Sequence, residues 1–138
     1  MGPLVDATKV DKILGNLEAR GVTIVRGDKA AAILDDIGAG AAYAPMFGKP
    51  HLFFNGTVTR GQLVEELLHH GQSLRRKHAP VFDSIASKRQ TIMDEIQAQT
   101  YMVNHAVRKG WTRAEIEFYQ NQQRLWLIEL VKFNRSVQ

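Results

Sequence analysis

The segment from Gly61 to Leu74 is predicted to be a helix, and polar side chains with metal-binding and acid-base chemistry lie in its middle. Thr59 is followed three residues later by Gln62, which is the side-chain pattern of a capping box. Asn55-Gly56 precedes them as a turn signal. The helix is therefore expected to begin near Gly61.

The middle of this helix reads Glu65-Glu66-Leu67-Leu68-His69. Residues four apart on a helix lie on the same face, so Glu65 and His69 can point together at one metal ion while Glu66 stands beside them. In a His-Glu-x-x-His helix the two His residues bind zinc, and the intervening Glu takes a proton from the water that attacks a carbonyl. Glu65, Glu66 and His69 occupy those three positions here.

The residues before this helix alternate between helical and strand patterns. Apolar residues at helical spacing predict a helix from Asp6 to Arg20, which Gly21 is placed to end. Asp28 can cap a second helix. Predicted strands are Val22-Thr23-Ile24-Val25 and, as a hairpin or two short strands, Ala41-Ala42-Tyr43-Ala44 and His51-Leu52-Phe53-Phe54.

The residues after the central helix read as two long helices. The first is predicted from roughly Phe82 to Val107 and is ended by Gly110. The second begins at a Thr112/Glu115 capping box and runs toward Phe133. At 138 residues the chain fits one compact domain. We therefore predict a single α+β domain over residues 1–138, mainly helical with a small β-sheet, which could be the C-terminal domain of a longer protein.

A third metal ligand must come from another element, because catalytic zinc usually has three protein ligands and one open position. The chain has no cysteine, so His, Asp and Glu are the available ligands. The candidate is Glu95, on the next predicted helix in the run Asp94-Glu95-Ile96-Gln97-Ala98-Gln99, where Ala98 leaves room for the two helices to approach. The predicted metal ligands are therefore Glu65, His69 and Glu95.

At these residues the sequence resembles the zincin-like metallopeptidases, particularly compact domains found at the toxic tips of bacterial polymorphic toxins. The resemblance covers roughly Ala41 to Val107 as a pattern of strand, active helix and Glu-x-x-Ala ligand helix. It implies that Glu66 is the general base of a metal-dependent amide hydrolase. It also implies that His51-Leu52-Phe53-Phe54 is the edge strand that aligns the substrate.

The sequence departs from that family at Glu65, where the first His of the motif belongs. A carboxylate can bind zinc, but it adds negative charge, reduces the Lewis acidity available to a bound water and favours a harder metal such as Mn²⁺. The resemblance implies Zn²⁺ as the expected ion, and the carboxylate of Glu65 makes Mn²⁺ the alternative. A protein or peptide substrate is expected, together with a cognate immunity protein if the chain is a toxin.

Three other interpretations of the same residues remain open. Arg75-Arg76-Lys77-His78 and Lys88-Arg89 could contact phosphates in a toxin nuclease, with His69, His70 or His78 as acid-base groups. Alternatively, the scaffold could be a degenerate zincin that only binds a partner. The plainest interpretation is structural, with solvated Glu65 and Glu66 and a hydrogen-bonded His69.

Composition narrows the class of protein without choosing among these functions. The chain is 44% hydrophobic and 23% charged, which is ordinary for a globular protein, and it has no apolar run long enough for a membrane span. Its 18 Lys and Arg residues exceed its 14 Asp and Glu residues, and the net charge of +4 is too small to identify a nucleic-acid partner. We expect a soluble protein, either cytoplasmic or secreted or delivered as part of a larger protein.

Overall fold

A computed structural model of the chain describes residues 2–37, 39–46, 49–55, 57–75 and 85–137. These residues form five helices and a small mixed sheet of three strands, which confirms the predicted α+β, mainly helical fold. Their contacts divide the chain into two compact units, residues 1–70 and 71–138. No helix in the described ranges is long and apolar enough to cross a bilayer.

The first unit opens with a helix, α1, from Ala7 to Ala19. The Asp6 side chain caps it by accepting hydrogen bonds from the backbone N–H groups of Thr8 and Lys9. Gly21 follows with a φ of +93°, a conformation that favours glycine and lets the chain leave the helix. The helix buries three apolar residues at helical spacing, Val10, Leu14 and Leu17.

The sheet consists of β1 (Thr23–Arg26), β2 (Ala41–Met46) and β3 (Lys49–Phe54), in the spatial order β1-β3-β2. The central strand β3 pairs with β1 in parallel and with β2 in antiparallel orientation. A second helix, α2 (Asp28–Ile37), connects β1 to β2 along the chain.

Alternating side chains of β3 pack on two separate apolar clusters. Leu52 and Phe54 belong to the larger cluster, which includes residues of α1. Phe53 points the other way and packs with Ala30 and Leu34 of α2. The first unit is therefore layered, with α1 and α2 on opposite faces of the sheet.

The central helix, α3, runs from Arg60 to Leu74. It begins one residue earlier than predicted and ends at the predicted residue. Its capping box is formed as predicted: Gln62 N–H donates to Thr59 Oγ1 at 3.1 Å, and Thr59 N–H donates to Gln62 Oε1 at 3.0 Å. Leu63, which is buried, and Leu67 pack in the same cluster as α1. The first part of α3 therefore lies on the Leu52 and Phe54 face of the sheet.

The predicted role of His51-Leu52-Phe53-Phe54 as an edge strand is wrong. These residues lie in β3, whose backbone is hydrogen-bonded to a neighbouring strand on both sides, so it cannot accept an extended substrate. His51 also shares the face of the sheet that packs on α2, because it lies two residues before Phe53.

The second unit contains the last turn of α3 and two long helices, α4 (Ile85–Arg108) and α5 (Arg113–Ser136), which pack against each other. The predicted start of α4 at Phe82 lies outside the described residues. Gly110, with a φ of +66°, turns the chain between the helices. The Thr112/Glu115 capping box at the start of α5 is formed as predicted, and Glu115 is only 1% exposed.

Candidate metal centre

The helix α3 presents Glu65 and His69 on one face, because four residues make slightly more than one turn. Leu63 and Leu67 hold the helix in the core of the first unit from a neighbouring face. The positions of Glu65 and His69 relative to each other are thus fixed by local helix geometry. Both side chains are half-buried.

Glu95 of α4 completes a group of three metal-ligating side chains with Glu65 and His69. Each residue offers one ligand atom, and the three atoms lie within 4.8 Å of one another. Ligand atoms bound about 2 Å from one ion are themselves separated by roughly 3 to 4 Å. The three side chains therefore lie close to the separation that a shared ion requires, and the group could hold a metal ion.

The charges of the group favour a cation. Two unit charges 4 Å apart repel by about 4 kcal/mol in a medium with an effective dielectric constant of 20, so two neighbouring carboxylates need positive charge beside them. A bound divalent ion would supply such charge. One imidazole nitrogen and two carboxylate oxygens are ligands for Zn²⁺ and, with their excess of oxygen, for Mn²⁺.

Glu66, the predicted general base, is buried and only 7% exposed. It follows Glu65 and lies three residues before His69, so it projects from the helix next to the metal-ligating face. It does not belong to the group of three ligand atoms. A general base must be left out of the ligand set in order to take a proton, and Glu66 meets that condition.

Ala98, one turn after Glu95, is 1% exposed. Close approach of α3 and α4 at this small residue stays a prediction. The neighbouring Gln99 is also buried, at 2% exposed.

Gln72, which no sequence pattern singles out, connects the last turn of α3 to α4. Gln72 is 6% exposed, and its Nε2 donates hydrogen bonds to the Asp94 carbonyl oxygen at 2.9 Å and to Gln97 Oε1 at 2.8 Å. The only sequence feature that could have pointed to Gln72 is its position, a polar residue three positions after His69 on the same helix face. Nothing in the spacing showed what it would contact.

His70 is one of the acid-base candidates of the nuclease interpretation. Its ring centroid lies 5.7 Å from that of Tyr43 on β2, and its Nδ1 atom is buried without a hydrogen bond in the described part of the chain. Burial lowers the pKa of His70 below its usual value, which favours the neutral imidazole. The ring therefore packs chiefly as an aromatic side chain.

His105 on α4 packs among aromatic rings of the second unit. Its ring stacks on Tyr101 at 5.5 Å and meets the edge of Trp111 at 5.1 Å. Burial, with the nearby charges of Lys109 and Arg108, lowers the pKa of His105. Like His70, it has the surroundings of a packed aromatic residue.

The basic residues of the nuclease interpretation are only partly described. Arg75 and Lys88 are exposed, whereas Arg76, Lys77 and His78 lie outside the described residues. Arg89 donates a hydrogen bond to Asn134 Oδ1 at 2.9 Å and lies over the ring of Phe133. At least this arginine has a structural role in joining α4 to α5.

Comparison of the chain with protein-family models, with curated proteins and with solved structures found no match. The function of the group on α3 and α4 must therefore be inferred from its residues and their geometry.

Proposed function

We propose that this protein is a metal-dependent hydrolase that cleaves an amide bond in a protein or peptide. The observation that carries the proposal is the convergence of Glu65, His69 and Glu95, whose ligand atoms lie within 4.8 Å of one another. These residues would hold the ion, with Zn²⁺ as the first candidate and Mn²⁺ as the second. A toxin or effector role, with a cognate immunity protein as partner, rests on the resemblance to zincin-like toxin domains alone.

The bound ion would polarise the amide carbonyl and make water more acidic. Glu66 would take the proton from the attacking water and pass it to the leaving amine. Its buried position next to Glu65 supports this role, because bulk water has little access to the carboxylate. Half-burial of the three ligands would limit competition from solvent for the ion.

The substitution Glu66→Gln tests this mechanism. The metal-free protein is reloaded with Zn²⁺ or Mn²⁺ and incubated with a mixture of unfolded proteins, and new N-termini are detected by mass spectrometry. We expect Glu66→Gln to bind the ion as the wild type does but to cleave at least about a hundredfold more slowly, which is the lower range of a general base's contribution. The matched control is Glu18→Gln, an exposed position on α1.

Cleavage by Glu66→Gln at the wild-type rate would contradict the assignment of the base. Metal-independent cleavage of RNA that is lost in Arg75→Ala or His70→Ala would replace the proposal with the nuclease interpretation. A wild-type protein that binds the ion and a partner without turnover would replace it with the binding-module interpretation.

A further inference from the structure

Gln72 donates hydrogen bonds to two residues of α4, one before Glu95 in the sequence and one after it. One of its amide hydrogens goes to the carbonyl oxygen of Asp94, the residue before Glu95, and the other to the side chain of Gln97, two residues after it. Both hydrogen bonds have ordinary lengths, 2.9 and 2.8 Å, and Gln72 is almost fully buried. Since a buried amide is costly to leave unbonded, these two contacts constrain strongly where α4 can lie.

The position of Gln72 on α3 relates these bonds to the metal-ligating face. Gln72 lies three residues after His69 and seven after Glu65, so the three side chains form one stripe along the helix. The Asp94 carbonyl belongs to the peptide bond that leads into Glu95. A hydrogen bond to this carbonyl therefore fixes the backbone from which the Glu95 side chain projects.

We propose that Gln72 is a positioning residue for the metal centre, which keeps the Glu95 carboxylate within reach of the ligand atoms of Glu65 and His69. This inference rests on the proposed metal-dependent function. Gln72 contacts no ion itself; it acts through the placement of Glu95. Residues that orient metal ligands in this way typically contribute about 10- to 100-fold to metal affinity.

The side-chain chemistry at position 72 fits this role. A glutamine carboxamide supplies two N–H donors, and the two acceptors on α4 use both. Methionine has a similar length but no donor, so Gln72→Met removes the hydrogen bonds while filling most of the space. The substitution therefore distinguishes the effect of losing the two hydrogen bonds from the effect of losing side-chain packing.

The test uses Co²⁺ as the probe ion, because its visible absorption reports the coordination number. Co²⁺ binding to the wild type, Gln72→Met, Glu95→Gln and the double variant is measured by equilibrium dialysis and absorption. We expect Gln72→Met to weaken binding by about 10- to 100-fold and to shift the spectrum toward that of Glu95→Gln. The double variant should bind no more weakly than Glu95→Gln, because without Glu95 there is no ligand left to position.

The matched control is Gln123→Met, which breaks another glutamine contact with α4. Gln123 Nε2 donates to Thr100 Oγ1 at 3.0 Å, so the control loses a similar hydrogen bond to the same helix. It should lose stability without losing Co²⁺ affinity. If Gln72→Met fails to fold, Gln97→Leu removes one of the two acceptors from an exposed position and should weaken binding to a smaller extent.

Two outcomes would overturn the inference, and they are distinguishable from failure of the proposed function. The positioning role is wrong if the wild type binds Co²⁺ and Gln72→Met binds it equally well. It is also wrong if the effects of Gln72→Met and Glu95→Gln are fully additive. A wild-type protein that binds no Co²⁺ would instead overturn the metal centre itself, and the role of Gln72 with it.

Discussion

In the proposed metal centre, Glu65 is the residue whose side-chain type should most affect reactivity. With Glu65 and Glu95 as ligands, the two carboxylates neutralise both charges of a divalent ion, whereas a second imidazole in place of Glu65 would leave one positive charge. A neutral centre withdraws less electron density from a carbonyl oxygen or from water. We therefore expect slower hydrolysis from this ligand set than from one with two imidazoles, and a weaker preference for Zn²⁺ over Mn²⁺.

The substitution Glu65→His tests this interpretation. It should raise the affinity for Zn²⁺ relative to Mn²⁺ by at least about tenfold, since imidazole favours Zn²⁺ and carboxylate favours the harder ion. It should also increase the rate of amide cleavage. Metal affinities are measured by competition with a chelating dye, and Glu18→His on α1 serves as the control. An unchanged preference between the two ions would show that residue 65 is not a ligand.

The individual residues of the centre differ in how far the sequence could predict them. Glu65 and His69 could be placed on the same helix face from the sequence, because a helix fixes the relation between residues four apart. Glu95 required an assumption about how α3 and α4 pack, which no spacing along the chain encodes. Gln72 was missed for the same reason, since its importance depends on two acceptors that come from another helix.

Among the elements, α3 contributes two of the three candidate metal ligands, and a capping box begins the helix. The reciprocal hydrogen bonds between Thr59 and Gln62 satisfy backbone N–H groups that would otherwise have no partner in the helix. Both ends of this capping box could be predicted because the pattern is local. The same holds for Thr112 and Glu115 at the start of α5.

The capping box makes a quantitative prediction for the stability of α3. Thr59→Ala should lower the free energy of unfolding by about 1 kcal/mol, the usual cost of losing a capping hydroxyl. Thr59→Ser keeps the hydroxyl and loses only the methyl group, so it should retain most of the stability. Urea denaturation followed by circular dichroism measures both variants. Equal losses in the two variants would show that the methyl group of this buried residue matters more than the cap.

The sheet shows where prediction of the elements failed. The sequence predicted its strands, but an edge position was inferred for β3 by resemblance, and β3 is central. Leu52, Phe53 and Phe54 are all buried, and a continuous apolar run of this kind is typical of a strand covered on both faces. That signal was present in the sequence and favoured a central strand.

At the scale of the whole molecule, the fold class followed from alternating local patterns and was confirmed. Helical periods, capping residues and turn glycines predicted the order of helices and strands along the chain, because each signal acts over a few residues. The division into the compact units 1–70 and 71–138 was not predicted. The boundary falls within α3, whose continuous helical pattern gives no sign of it.

The proposed function requires the chain to hold one divalent ion through Glu65, His69 and Glu95. Isothermal titration of the metal-free protein with Zn²⁺ tests it most directly, with Mn²⁺ titrated in parallel. We predict one ion per chain for the wild type and for Glu18→Gln, and at least about a tenfold loss of affinity, or about 1.4 kcal/mol, for both His69→Ala and Glu95→Gln. A wild-type protein that binds neither ion, or variants that bind as tightly as the wild type, would contradict the claim.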